Sequence, residues 1–238
     1  MDGFLRTEKL TIGYNGNALI KDIDIDVKKG EIITVIGPNG AGKTTTMKLL
    51  LGLIQPDGGA VEILGQKMSP KSRFDINMRT GSLIESPGFY GHLTGQENLE
   101  IIARYKNLGT SDIKEALDTV RLYDRKDDKV KNYSLGMKQR LGIAMALMGK
   151  PELIILDEPT NGLDPAGINE IRNLIKSIPE KYDSTVIISS HLLSEVEQIA
   201  DYVGIINKGQ MIYQGLLSEL EIGDASLEEV FLEMTKGA

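Results

Sequence analysis

The run Gly37-Pro38-Asn39-Gly40-Ala41-Gly42-Lys43-Thr44 fits the pattern GxxxxGK[ST] in full, directly after an apolar stretch and directly before a helical one. Glycines let successive backbone N–H groups converge on a phosphate, and the amino end of the following helix adds positive potential. Lys43 then reaches the outer phosphates, the Thr44 hydroxyl is placed to ligate Mg²⁺, and Thr45 to contact an α-phosphate. Further on, Leu153-Ile154-Ile155-Leu156 runs into Asp157-Glu158, a buried strand ending in two carboxylates. Ligands gather at the carboxyl ends of strands in doubly wound sheets. Neighbouring strand residues point to opposite sides, so the two acids share one task only if the backbone leaves the strand there. Asp157 is the acid placed to hold Mg²⁺ through water, and Glu158, in the turn before Pro159, to polarise an attacking water.

Such groups need a sheet beneath them. Glu31 to Gly37, Leu153 to Asp157 and Thr185 to Ser190 are near-continuous apolar or β-branched runs, the mark of parallel strands covered on both faces. Helical spacing follows two of them, at Gly167 to Ser177 and Leu193 to Ala200, so the fold class is α/β with a mainly parallel core. Asp22 to Val27 alternates with period two and predicts a half-buried strand, with Leu10 to Tyr14 as its partner. Between Pro87 and Lys150 three helical patterns, Thr94 to Tyr105, Ser111 to Leu122 and Ser134 to Met148, each open on a cap-like Thr or Ser and predict an inserted helical subdomain. Val203 to Ile206 and Gln210 to Tyr213 flank Lys208-Gly209 as a hairpin, and Ser226 to Thr235 reads as an amphipathic helix.

The 238 residues are 41% apolar and 26% charged, ordinary for a folded domain. With 34 acidic against 27 basic side chains the charge is −7, which argues against affinity built on nucleic-acid phosphates. The lack of cysteine excludes disulfides, thiolate metal sites and cysteine nucleophiles. No apolar run approaches the roughly 18 to 20 residues that cross a bilayer; the longest, Leu141 to Gly149, is about half that. Asp2, Arg6 and Glu8 interrupt the amino terminus, so the expected address is cytoplasmic.

Asn132-Tyr133-Ser134-Leu135-Gly136-Met137-Lys138-Gln139-Arg140 begins a helix upstream of the acid pair. Ser134, the Gly136 N–H and the helix amino end make a second anion site with no evident partner in its own chain. This segment resembles the signature motif of the ATP-binding cassette (ABC) ATPases, with Leu135 and Met137 at places where that family usually has glycine and glutamine. Together with Lys43, Asp157 and Glu158 the resemblance extends over essentially the whole chain. It implies a single ABC ATPase domain over 1–238, with an N-terminal antiparallel β-subdomain, a RecA-like core and the helical subdomain inserted at about 87–150. It also implies two chains stacked head to tail around two ATP molecules, each second anion site serving the partner's γ-phosphate.

By the same resemblance His191 is the switch histidine beside the γ-phosphate and the catalytic acid, Asp164 in Asn161-Gly162-Leu163-Asp164 lies on the loop that couples the paired sites, and Tyr14 stacks on adenine. His92 lacks such support and reads as a surface or packing residue. Glu85, in Gly81-Ser82-Leu83-Ile84-Glu85-Ser86-Pro87-Gly88-Phe89-Tyr90, stands where most of the family carries a glutamine that ligates Mg²⁺ and senses the attacking water. This stretch is similar to the lantibiotic-immunity and bacitracin-resistance ATPases. The implied function is ATP hydrolysis powering a separate polytopic membrane permease, at the cytoplasmic face of the membrane, to expel an antimicrobial peptide. The competing reading is a soluble ABC ATPase acting on ribosomes, DNA or cluster assembly; one cassette, no long coiled coil and the acidic balance speak against it. Glu158 likewise disfavours a regulator without turnover.

Overall fold

A computed structural model of the chain describes residues 4–14, 17–85, 88–220 and 226–236. Asp2, and Ser86 and Pro87 of the stretch around Glu85, lie outside the described residues. Strands β1 (Leu5–Tyr14), β2 (Asn17–Ile23) and β3 (Asp26–Val27) precede the central strand β4 (Ile32–Ile36), which feeds helix α1 (Lys43–Leu50). Next come β5 (Gly58–Ile63), β6 (Gln66–Lys67), α2 (Arg73–Met78) and β7 (Thr80–Leu83). Helices α3 (Gly95–Lys106), α4 (Thr110–Thr119) and α5 (Leu135–Leu147) follow before β8 (Leu153–Asp157). Helix α6 (Pro165–Tyr182), β9 (Thr185–Ser190), α7 (Leu193–Ile199), β10 (Tyr202–Asn207), β11 (Gln210–Leu216), α8 (Leu217–Leu220) and α9 (Leu227–Lys236) complete the chain.

The main sheet has the order β11-β10-β4-β9-β8-β7, parallel except for the antiparallel β11. Strands β4, β8 and β9 are buried at every residue, which is why their sequences carry no alternation. Their carboxyl ends lie side by side, Ile36 against Ser190 and Asp157 against Ser189. A second, antiparallel sheet has the order β2-β1-β5-β6, with β3 also pairing β1. One apolar core runs from β8 and β9 into α3, α4 and α5, through Ile154, Ile188, Leu99, Leu117 and Leu141.

Two sequence expectations need correction. Asp22 to Val27 is two strands, not one: Asp22 turns at φ 50°, and the Ile25 N–H leaves the ladder to donate to Thr7 Oγ1 at 2.8 Å. The alternation survives as burial, with Ile23, Ile25 and Val27 inside and the aspartates outside. Ser111 does not cap α4; Gly109 does, and its N–H is taken by Asp112 Oδ2 at 2.9 Å. Thr94 and Ser134 do cap their helices, accepting from the backbone N–H groups of Glu97 and Met137.

Candidate functional site

The phosphate loop leaves β4 at Gly37 and enters α1 at Lys43. Gly37 passes the next strand so closely that a Cβ there would lie 2.2 Å from the Ile206 carbonyl oxygen. Gly42 caps α1 at φ 110°, a region that disfavours any side chain. Pro38, Asn39 and Gly40 are exposed at the crest, Ala41 is buried, and Thr45 is half-buried on the first turn of α1. The hairpin steadies the loop from outside, because the Gly209 N–H donates to the Ala41 carbonyl at 2.9 Å.

Lys43 is only 5% exposed, and its ammonium has three oxygens around it. It donates to the carbonyls of Gly37 at 2.8 Å and Pro38 at 3.4 Å, and faces Glu158 Oε1 at 3.4 Å. Thr44 Oγ1 donates to Asp157 Oδ2 at 2.8 Å, joining α1 to the end of β8. Ser189 Oγ, from β9, donates to the other oxygen, Oδ1, so the Asp157 carboxylate is held from both sides. The next residue leaves the strand: Glu158 sits at φ 46°, with its N–H directed at the Ser189 carbonyl and Oγ. Both acids therefore reach the same end of the loop, the geometry that strand alternation alone would forbid. Glu158 Oε2 stands 3.0 Å from His191 Nδ1.

Glu85 is set apart. It adopts φ 59° and pairs with Lys48 Nζ at 2.6 Å on an exposed surface, one helical turn beyond Thr44 along α1. It makes no hydrogen bond to Thr44 or Asp157. Tyr14 ends β1 with 59% of its surface exposed. His92 is exposed and meets Tyr90 edge to face at 6.0 Å.

Ser134, Gly136 and Asp164 come together elsewhere, in a cleft of about 380 Å³ whose lining includes Leu135, Arg140 and Glu170 and no residue of the phosphate loop. Two helix amino ends open into it: Ser134 Oγ accepts from Met137 N at 3.2 Å, and Asp164 Oδ1 from Gly167 N at 2.9 Å. Tyr133, just before Ser134, is buried and donates to the Arg125 carbonyl at 2.6 Å; burial pushes its phenol pKa up. The amino end of α5 is thereby anchored.

Among the described residues no group of three or more His, Cys, Asp or Glu side chains can hold a metal ion. Thr44 and Asp157 supply adjacent hard oxygens, the donor type that suits Mg²⁺, so such an ion would take most of its shell from phosphate and water. Sequence reasoning missed Ser189, whose hydroxyl holds the Asp157 carboxylate and accepts the Glu158 backbone N–H; near the end of an apolar strand it carries no motif signal. It also missed the Lys48 partner of Glu85.

The parallel sheet, the phosphate loop and the paired acids define an ATPase of the phosphate-loop class. The ABC transporter family matches residues 20–161. The bacitracin transport ATP-binding protein BcrA of Enterococcus faecalis is 45% identical over 221 residues, 92% of this chain and 71% of that protein. The lantibiotic transport ATP-binding protein SrtF of Streptococcus pyogenes is 40% identical, covering 95% of each. A solved structure described as the ATP binding subunit of an ABC transporter superposes with a TM-score of 0.86 at 30% identity, over 98% of this chain and 99% of that one. The chain belongs to the ABC transporter family and is an ATPase of it.

Proposed function

We propose that this chain is the ATP-hydrolysing subunit of an exporter that expels an antimicrobial peptide of the bacitracin or lantibiotic kind. It closes as a dimer around two ATP molecules and drives a separate polytopic membrane subunit from the cytoplasmic face of the membrane. The export reading is supported by the relatives BcrA and SrtF, named for bacitracin and lantibiotic transport. No helix among the described residues is long and apolar enough to cross a membrane.

In the proposed mechanism the loop N–H groups from Asn39 to Gly42 and the Lys43 ammonium bind the phosphate chain, and Tyr14 offers its exposed ring to the adenine. Thr44 and Asp157 would hold Mg²⁺, which when bound supplies charge neutralisation between the phosphates. Glu158 orients the attacking water and accepts its proton; His191, 3.0 Å away, fixes the carboxylate and faces the γ-phosphate. Glu85 would join this set through Mg²⁺ or water when its side chain turns away from Lys48. Residues 1–238 act as one ATPase unit, with about 87–150 as the inserted helical subdomain carrying Ser134 to the partner's nucleotide.

The observation that carries the dimer is the Ser134–Asp164 cleft, built from two helix amino ends and lined by no phosphate-loop residue. An anion site of this kind suits a γ-phosphate held by a second copy. Size-exclusion chromatography of Glu158→Gln with and without MgATP tests it. Dimers that require ATP and disappear on adding Ser134→Arg support the composite site, and a monomer under all conditions refutes it.

A further inference from the structure

His191 and Glu158 lie on two short segments that are cross-linked on both sides of their contact. On one side Ser189 Oγ accepts the Glu158 N–H at 2.9 Å. On the other, Thr160 Oγ1 donates to Glu195 Oε2 at 2.6 Å, joining the turn after Glu158 to the first turn of α7 after His191. Both partners of this second link are buried, Thr160 at 4% and Glu195 at 5% exposure. Within the turn itself the backbone bonds are Asn161 N to Glu158 O and Leu163 N to Thr160 O, and Leu163 packs against the main core. Without the Thr160–Glu195 link, the Glu158 carboxylate could pivot about Ser189.

Stability does not account for the pair. Among the described residues Glu195 Oε1 is buried with no hydrogen-bond partner, so an acid is kept inside the protein on a single side-chain bond. A buried polar group left half-satisfied is costly, and well-packed apolar replacements of such groups are often neutral or stabilising. The bond therefore serves geometry.

We propose that Thr160 and Glu195 are positioning residues for hydrolysis, a clamp that sets the distance between His191 and Glu158 and ties the switch segment to the turn leading to Asp164. This inference rests on the catalytic reading of Glu158 and His191 given above.

The test uses the purified full chain with Thr160→Val, Glu195→Met, the double replacement and Thr160→Ser, alone and in a His191→Ala background. ATPase rate, ATP affinity and thermal midpoint are measured for each. The double replacement is expected to keep or raise the thermal midpoint and to hold ATP affinity within about twofold. Its kcat should nevertheless fall about tenfold or more, the scale of a misplaced catalytic group. Thr160→Ser, which keeps the hydroxyl, should restore turnover. In His191→Ala the double replacement should add less than about a twofold further loss, because groups that act as one unit are not additive. A wild-type kcat in the double replacement, an additive loss in His191→Ala, or a loss that tracks a lowered midpoint would each overturn the clamp. Failure of all the replacements to fold would assign the pair to stability and overturn it as well. If His191→Ala itself turns over at the wild-type rate, the catalytic reading beneath it is what fails.

Discussion

Nδ1 of His191 stands 3.0 Å from one oxygen of the Glu158 carboxylate, and the other oxygen faces the Lys43 ammonium at 3.4 Å. One acid thus links the phosphate loop after β4 to the segment after β9, the strand that lies between β4 and β8. Any change in what Lys43 binds alters the field at Glu158, and any movement of the segment after β9 alters its orientation. The carboxylate is held between two cationic or polar partners, and the proposed reading makes it the base for the attacking water.

Replacing Glu158 by Gln keeps the shape and removes the charge. Nucleotide affinity should be equal to or greater than that of the wild type, since a negative group near the phosphates is lost. Turnover should drop by about 10²- to 10⁴-fold, the usual worth of a positioned general base. Phosphate-release assays beside equilibrium binding decide this; turnover within twofold of wild type would move the base elsewhere.

Lys43→Ala should lose ATP. A hydrogen bond to a charged group contributes about 1.5 to 3 kcal/mol, so affinity should fall by roughly ten- to a hundredfold. Isothermal titration calorimetry reads this directly, and unchanged binding would contradict the role of the loop.

The site was readable in the sequence to different depths, for physical reasons. The bounds read for β8 and β9, Leu153 to Asp157 and Thr185 to Ser190, match the strands, because burial on both faces makes their middle residues a continuous apolar run. The two acids could be named from type and spacing, but their convergence depends on the left-handed turn at Glu158, which nothing in Asp157-Glu158-Pro159 announces. Strands β5 and β7 escaped notice because Gly58-Gly59-Ala60 and Thr80-Gly81-Ser82 have weak strand propensity and are held by their neighbours in the sheet. Ser189 and the Thr160–Glu195 bond escaped because tertiary hydrogen bonds between buried groups have no period. Ser111 misled because a serine two residues after a glycine looks like the better cap, whereas the Asp112 side chain satisfies the Gly109 N–H.

Glu85→Gln tests the proposed metal role of this residue, at the cost of its ion pair with Lys48. The Lys48–Glu85 contact is exposed, so its loss should change stability by less than about 1 kcal/mol. ATP affinity should be retained while turnover, or resistance conferred in cells with the membrane partner, changes by several-fold. Wild-type values for both would show that the carboxylate at this position is merely tolerated.

Arg79 and Glu152 offer a pH test of a different part of the frame. Arg79 Nε and NH2 both donate to the Glu152 carboxylate, at 2.6 and 2.9 Å, tying the start of β7 to the residue before β8. The Arg79 hydrogen bond holds the Glu152 carboxyl below its ordinary value of 4.5. A lowered folded-state pKa means stabilisation that is fully present above the unfolded-state value and is lost as the pH falls through the folded one. Both side chains are 42% exposed, so solvent screening limits the effect to about 1 kcal/mol or less. Arg79→Met should therefore unfold at lower denaturant than wild type at pH 7, and the gap should close steadily below about pH 4.5. Paired urea titrations between pH 7 and pH 3 check this. A gap that is unchanged or wider in acid would show that Arg79 stabilises the strand junction through its aliphatic stem and not through the carboxylate.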